Sequence, residues 1–374
     1  MPSMVWTILS FIIIFTLVVV SHEFGHFLIG RINGIKVNEF MIGMGPAIFK
    51  KKIGNVLLSI RILPIGGACV FDGMLDDEKE DEKAEEENEG EESNITKELM
   101  DDAKAGIPFR DAPVWARIAT VFAGPLFNVV LAFLLSLFIV WFCGSDLPII
   151  GAVSEGYPAA EAGIQAGDRI VKIDGENIML WRDVSIISML SSGKPMNITY
   201  ERDGQRYETV LTPAYSAEED RYYIGFVGAG KYIECNNLNV FKYAYAETRF
   251  WLIATVRSLG YMFRGHASLD DFSGPVGMAT VIDDTIETSA SYGVFTVILN
   301  MMSFCVLLSV NLGIMNLMPI PALDGGRLLF LIYEVIFKKP VPAEKEGIIT
   351  AVGFILLMIF MVVVLFNDIM KLFR

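Results

Sequence analysis

Four long apolar segments restrict the folds open to this chain more than any other feature of its sequence. They cover residues 5–29, 114–142, 292–317 and 347–366. A helix needs about 20 mostly apolar residues to cross the hydrocarbon core of a bilayer, and in lipid the backbone must satisfy its hydrogen bonds internally. The sequence therefore predicts a polytopic α-helical membrane protein with about four transmembrane helices.

The stretch after the first span has the composition of β-structure, and an acidic stretch follows it. Residues 37–75 contain short apolar runs separated by Gly and Pro, which predicts strands joined by turns. We expect a membrane-associated β-region, although an ordinary cytoplasmic β-hairpin fits the pattern equally well. Between Asp76 and Glu92 there are twelve acidic residues and two lysines, which nearly accounts for the net charge of -14. Residues 76–106 should thus be a disordered, solvated loop rather than an acidic surface for basic partners.

The region between the second and third spans is soluble in character. Residues 158–175 read PAAEAGIQAGDRIVKIDG, and an Arg-Asp-Gly turn at 202–204 separates two short strand-like runs. This pattern resembles a bacterial PDZ domain, a class of domain that binds extended peptides by adding a strand beside a helix. Residues 238–262 mix apolar, aromatic and charged side chains, which favours a helix lying in the membrane interface over a span.

These features divide the chain into seven expected segments. They are a first transmembrane helix (1–36), a membrane-associated β-region (37–75), the acidic loop (76–106), a second transmembrane helix (107–146), an inserted α+β PDZ domain (147–214), a connecting region with an interfacial amphipathic helix (215–291), and the third and fourth transmembrane helices (292–374). Basic residues follow the first span and separate the last two, at 31–52 and 338–345. By the positive-inside rule these flanks face the cytoplasm, so the PDZ domain is expected outside.

A polar motif, His22-Glu23-Phe24-Gly25-His26, lies at the end of the first apolar segment. Residues i and i+4 share one face of a helix, so both histidines can bind one metal ion, and Glu23 can reach a water on that metal. The chain has only three histidines, and ionisable groups at this depth are costly. The alternative is a helix end whose polar residues lie among lipid headgroups. The free-energy cost of placing these ionisable groups in the membrane favours the metal site over the helix end.

A catalytic zinc site usually has three protein ligands and an open position for water. The third ligand must therefore come from the same depth on the cytoplasmic side. Asp324 is the strongest candidate, because it follows the third span where that span ends on the cytoplasmic side. It could instead cap the helix that follows it. Glu334 lies further into that helix and Asp368 lies at the outer end of the fourth span, so both fit less well.

The HEFGH motif and the sequence NLMPIPALDGG, which begins at Asn316, together resemble the site-2 protease family of intramembrane zinc metalloproteases, especially its RseP-type bacterial branch. The resemblance implies Zn2+ as cofactor, with His22, His26 and Asp324 as ligands and Glu23 as the catalytic carboxylate. It also implies that Asn316 holds the substrate backbone or the developing oxyanion. Two features depart from the family. We find one PDZ unit where some relatives have two, and the acidic insertion has no assigned counterpart.

The resemblance also implies the activity and the partners. The expected reaction is hydrolysis of peptide bonds within or near the transmembrane segments of single-span proteins, such as anti-sigma factors, or of remnant signal peptides. The expected partners are these substrates, peptide ligands of the PDZ domain and the lipid bilayer, with no nucleic acid. We expect a multi-pass protein of the inner (cytoplasmic) membrane, with the active site near the cytoplasmic side and the PDZ domain extracytoplasmic.

Two other functions stay open on the sequence. A non-proteolytic PDZ-containing membrane scaffold has no need for Glu23. A zinc transporter needs further ligands along a path, yet the one remaining histidine is His266, which we expect in an outer loop. The four cysteines include no C-x-x-C pair, so a disulfide between Cys143 and Cys235 is supported only by their expected position on the same side.

Overall fold

The computed structural model of this chain describes residues 2–74, 106–189, 193–216, 221–266 and 272–372. The acidic run between Asp76 and Glu92 lies outside these residues, and so does the side chain of His266. Within the described ranges, four helices are long and apolar enough to cross a membrane, which confirms the polytopic fold class. They are Val5–Ile32, Val114–Cys143, Val294–Asn316 and Ala343–Lys371.

Contacts between Cα atoms divide the chain into two compact units, one formed by Met1–Leu131 with Ser268–Arg374 and the other by Ala132–Ala267. The α-helices, in chain order, are α1 (Pro2–Ile32), α2 (Val114–Cys143), α3 (Pro158–Glu161), α4 (Trp181–Met189), α5 (Asn239–Tyr261), α6 (Pro275–Ala290), α7 (Val294–Asn316), α8 (Asp324–Phe337) and α9 (Ala343–Leu372). The strands are β1 (Val37–Ile53), β2 (Val56–Phe71), β3 (Ser145–Asp146), β4 (Ile150–Val153), β5 (Arg169–Ile173), β6 (Glu176–Asn177), β7 (Met196–Arg202), β8 (Gln205–Leu211), β9 (Ala214–Ser216), β10 (Arg221–Tyr223), β11 (Phe226–Gly228) and β12 (Tyr232–Ile233).

The β-region of the first unit is formed by β1 and β2, which pair antiparallel with Val37 opposite Phe71 and Ile53 opposite Val56. Both strands bend near their middles, where the glycines at 43, 45 and 66 have positive φ angles. Residues 39–42 therefore pair with 57–60 on one side and with 67–70 on the other, and residues 57–60 also pair with 49–52. The region thus has the short strand segments separated by glycine turns that the sequence predicts. One face of this sheet packs into a buried cluster with residues of α2 and α8, which include Val121 and Leu331. The β-region therefore packs against the helices, as expected for a membrane-associated β-region.

The second unit contains the PDZ domain. Its four-stranded sheet has the order β6-β5-β7-β8, and Asp203 and Gly204 form the predicted tight turn with positive φ angles. The structure extends this fold beyond the predicted end at residue 214. β11 pairs with β4, and Ile224 lies in the domain core. The sequence between 214 and 228 has no clear alternation of apolar and polar residues, so its strands were not recognised.

Helix α5 occupies the segment for which we predicted an interfacial helix. One of its faces packs against the end of α2 and the PDZ domain, burying Tyr243 and Phe250 among others. Phe241, Tyr245 and Val256 stay exposed. The charge of Glu247 does not face water, because its carboxylate accepts hydrogen bonds from Arg182. Cys143 and Cys235 are both free thiols, with no disulfide between them.

Helix α6 lies in the connecting region 215–291, for which the sequence predicts only the interfacial helix. The helix begins at Pro275, a position where the missing N–H of proline costs no hydrogen bond. The backbone N–H of Gly277 donates to Asp368 Oδ2 at 2.8 Å. α6 packs against α1 and α7. Its threonines, valines and aspartates have modest helix propensity, so packing and this side-chain contact decide its conformation.

The extended boundary of the PDZ domain can be tested with two substitutions in the part beyond residue 214. Ile224 is 4% exposed and Val227 is 59% exposed. We expect Ile224→Ala to lower the free energy of unfolding of this domain by about 2–5 kcal/mol, because it leaves a cavity in the core. Val227→Ala should leave it almost unchanged. Pulse proteolysis of the full-length protein in urea measures both. If the two variants have equal free energies of unfolding, the domain ends before β11.

Candidate metal centre

Helix α1 brings the two motif histidines together, as the sequence predicts. His22 and His26 are both buried, at 6% and 8% exposure, and their Nε2 atoms lie 3.2 Å apart. Two unprotonated ring nitrogens repel each other at this distance. The pair therefore needs a proton or a cation between them, and the depth of the site in a membrane protein makes an unpaired charge costly.

Asp324 completes the cluster from a distant part of the chain. Its Oδ2 lies 3.0 Å from His22 Nε2 and 3.3 Å from His26 Nε2. Asp324 is the first residue of α8, and the N-cap position is occupied by Leu323 without a side-chain hydrogen bond. The capping alternative for Asp324 therefore does not apply.

The two glycines after Asp324 explain how this carboxylate reaches the histidines. A Cβ atom on Gly325 would lie 2.1 Å from the carbonyl oxygen of Met318, and one on Gly326 would lie 2.5 Å from that of Ile320. Only glycine lets the start of α8 fold back this closely on the loop after α7. The LDGG sequence thus places the carboxylate as well as supplying it.

The donor set fits a zinc ion. The three atoms are separated by 3.0–3.3 Å, and a tetrahedral zinc ion about 2.0–2.1 Å from its ligands holds them about 3.3 Å apart. Asp324 Oδ2 is buried and has no hydrogen-bond partner among the described residues. In that part of the chain, this is the one cluster of three or more His, Cys, Asp or Glu residues with such spacing.

Helix α2 fixes the orientation of both imidazole rings. His26 Nδ1 lies 2.9 Å from the carbonyl oxygen of Thr120, which accepts its proton and leaves Nε2 free for a metal. Asn128 Nδ2 lies 3.3 Å from His22 Nδ1, and Asn128 Oδ1 has no partner among the described residues. When the Asn128 amide is flipped by half a turn, its Oδ1 accepts the Nδ1–H proton of His22, so that Oδ1 and Nδ1–H each have a partner. Asn128 is a polar residue within an apolar span, where an amide usually has a packing role, and the structure gives its side chain this additional contact.

Gly124 allows α2 to come this close. A Cβ atom at this position would lie 2.3 Å from His26 Nε2. Gly124 and Asn128 are four residues apart and therefore share one face of α2, a spacing that could have indicated their common role. No sequence signal identifies the Thr120 carbonyl, because every residue has one.

Glu23 and Asn316 both line the cavity that contains the three candidate ligands. This cavity has a volume of about 610 Å³ and is also lined by residues 66–71 of β2. Asn316 Nδ2 lies 3.4 Å from His22 Nε2. The structure thus brings together all five site residues predicted from the sequence. The two rival carboxylates are engaged elsewhere, Glu334 with Arg117 and Asp368 with the N-terminal turn of α6.

Comparison with known proteins agrees with this chemistry. The family model for Peptidase family M50 matches residues 10–360. The zinc metalloprotease RasP of Shouchella clausii is 35% identical, and the regulator of sigma-W protease RasP of Bacillus subtilis is 32% identical, each over 98% of this chain and 99% of the relative. A solved PDZ domain of the SdrC-like protein from Listeria monocytogenes is 21% identical and covers 22% of this chain and 87% of that chain, with a TM-score of 0.20.

The contact between Asn128 and His22 predicts an effect on metal affinity. We expect Asn128→Leu to weaken zinc binding about 10- to 100-fold, because the His22 ring loses the group that holds its tautomer. Ser309→Ala is the matched control, since Ser309 donates to the backbone oxygen of Asn128 rather than to its side chain. Competition with a fluorescent zinc chelator measures the affinity. Equal zinc affinity of Asn128→Leu and the unsubstituted protein would show that Asn128 does not support the ligand.

Proposed function

The chain belongs to peptidase family M50, the site-2 protease family of intramembrane zinc metalloproteases, and we propose that His22, His26 and Asp324 hold its zinc and that Glu23 is its catalytic base. The observation that carries this assignment is the convergence of the three ligand atoms within 4.8 Å of one another in a cavity that Glu23 also lines. The protein is a multi-pass cell-membrane enzyme, and the roles of these four residues in it are the proposal.

The proposed mechanism follows from the positions of the side chains. When bound, the zinc ion lowers the pKa of a water molecule and polarises the peptide carbonyl. Glu23 accepts the proton of the attacking water and later donates it to the leaving amine, which is general acid–base catalysis by one carboxylate. The Asn316 amide lies beside the ligand atoms and donates its N–H to the oxygen that becomes negatively charged.

The substrates are proposed to be transmembrane segments that have lost their helical structure. A peptide bond inside a helix is shielded, so the segment must unwind before it reaches the cavity. Residues 67–70 of β2 line the cavity, and among the described residues their strand partners lie only in β1, at 39–42. The other edge of this stretch can pair with an extended substrate by strand addition.

The proposed substrate class is single-span membrane proteins, with anti-sigma factors and remnant signal peptides as the two candidates. The name of the Bacillus subtilis relative, regulator of sigma-W protease, favours the first. Peptide recognition by the PDZ domain is proposed to select among these substrates.

The sidedness of the enzyme is also a proposal. Arg31 lies in the last turn of α1, and the lysines at 50–52 follow that helix. Lys338 and Lys339 lie between α8 and α9, and Lys345 lies in the first turn of α9. Cytoplasmic loops carry such an excess of basic residues. This supports the proposal that the ends of α1 and α7, and with them the zinc site, face the cytoplasm and that the PDZ domain lies outside.

Two substitutions separate the base from the ligands. Glu23→Gln keeps size and hydrogen bonding but cannot accept a proton, so we expect a normal zinc content and cleavage reduced about 10²- to 10⁴-fold. Asp324→Asn should lose zinc together with activity, because it weakens the metal site itself. Cleavage of a single-span model protein in liposomes and metal analysis of the same samples measure both effects. Cleavage by Glu23→Gln at nearly the normal rate would refute the proposed mechanism.

A further inference from the structure

The cavity of the metal centre contains one strongly basic side chain whose role the mechanism leaves unassigned. Arg327 lies one helical turn after Asp324 on α8 and lines the cavity together with Glu23 and the candidate ligands. Among the described lining residues it is the only lysine or arginine. It also lines a second, adjoining cavity of about 310 Å³ between α8 and the start of α9. The guanidinium group thus lies at the junction of two cavities.

The fold makes little use of this charge. Arg327 Nη1 donates to Met74 Sδ at 3.1 Å, and within the described part of the chain Arg327 belongs to no ion pair. A thioether is a weak acceptor, whereas a guanidinium has five N–H donors. Arg117 is different, because its guanidinium makes two hydrogen bonds to the carboxylate of Glu334.

Arg327 is half-buried in the wall of the cavity. Burial lowers the pKa of the Arg327 guanidinium, and nearby carboxylates, chiefly that of Asp324, offset this only in part. A partly buried cation whose acceptor is a thioether loses some of its hydration and gains little in return. A ligand that enters the cavity and accepts these hydrogen bonds would recover that loss.

We propose that Arg327 anchors the substrate by donating hydrogen bonds to main-chain carbonyl oxygens of the unwound segment, next to the peptide bond that is cut. This inference rests on the proposed function. An unwound segment exposes carbonyl oxygens at every residue, and these oxygens have lost their partners from the helix. Acidic side chains are rare in membrane spans, so main-chain oxygen is the acceptor that every substrate brings. The planar fork of arginine can reach two such oxygens at once.

Because Arg327 lines both cavities, it defines the direction in which the bound chain leaves the metal centre. A segment held by Arg327 extends from the metal centre into the second cavity, which is lined by residues of α8 and by the loop and first turns of α9, including Pro342 and Glu346. Arg327 is therefore a substrate-anchoring residue on one side of the scissile bond. Asn316, on α7, lies beside the ligand atoms themselves.

The binding test uses full-length, zinc-loaded protein with Glu23→Gln, which holds substrate without cutting it. The probe is a fluorescently labelled single-span peptide with a Gly-Pro pair near its middle, and fluorescence polarisation in detergent measures its affinity. We expect Arg327→Met to weaken binding about 10- to 100-fold, the range for hydrogen bonds from a charged donor. Arg31→Met is the matched control and should bind the probe like the parent protein, because Arg31 is exposed in the last turn of α1 and lines neither cavity. Equal affinity of Arg327→Met and the parent protein would overturn the proposal.

A second variant controls for loss of zinc caused by the first substitution. If Arg327→Met lacks zinc, Arg327→Lys replaces it, since lysine keeps the charge but is a point donor that cannot bridge two oxygens. We expect Arg327→Lys to retain zinc and to bind the probe several-fold more weakly than the parent protein. Unchanged affinity of zinc-loaded Arg327→Lys would also overturn the proposal.

Chemical rescue separates substrate contact from a structural role. In protein with Glu23 intact, Arg327→Ala should cut the probe with a reduced kcat/KM, and added methylguanidinium should restore part of it by occupying the vacated space. A purely structural arginine would not respond to the added cation, and absence of rescue in zinc-loaded Arg327→Ala contradicts the proposal. Failure of the unsubstituted protein to cut any single-span substrate would instead reject the proposed function.

Discussion

The close approach of α2 to α1 at Gly124 is the contact on which the metal centre depends. A Cβ atom at this position would lie only 2.3 Å from His26 Nε2, so any side chain would collide with the imidazole ring. With glycine there, α2 can bring the Thr120 carbonyl and the Asn128 amide to the outer nitrogens of the two rings. Gly25 of α1 packs equally closely, since its Cβ would lie 2.4 Å from the carbonyl oxygen of Ala123. Small residues at the interface of membrane helices permit such approach, and here they also set the ligand geometry.

The polar groups of this site are retained at a depth where each one is expensive without a partner. The nitrogen and oxygen atoms of His22, His26 and Asp324 face one another without a proton donor that satisfies all three. A cation between them resolves this conflict, which is why the zinc dependence of the family fits these particular residues. The same reasoning distinguishes Arg117, whose charge is neutralised by Glu334, from Arg327, which lines the cavity and donates to the thioether of Met74.

Sequence reasoning predicted the parts of this protein that follow from chemistry along the chain. Hydropathy identified the four spans, and the i, i+4 spacing identified His22 and His26. Asp324 followed from topology, because it comes after the third span on the side where the first span also ends. What sequence reasoning missed depends on contacts between distant segments. β11 is recognisable as part of the PDZ domain only through its pairing with β4, and α6 only through its packing and the contact with Asp368. Backbone groups such as the Thr120 carbonyl have no sequence signature at all.

The central claim is that the zinc of this enzyme is bound by two imidazole nitrogens and one carboxylate oxygen from α1 and α8. X-ray absorption at the zinc edge of purified Glu23→Gln protein tests it most directly. The account predicts one zinc ion per chain with nitrogen and oxygen neighbours only, at about 2.0–2.2 Å, and the multiple-scattering pattern of two imidazoles. Cys69 lines the same cavity. A sulfur neighbour at about 2.3 Å, or a normal zinc signal in a His22→Ala, Asp324→Ala double variant, would contradict the account.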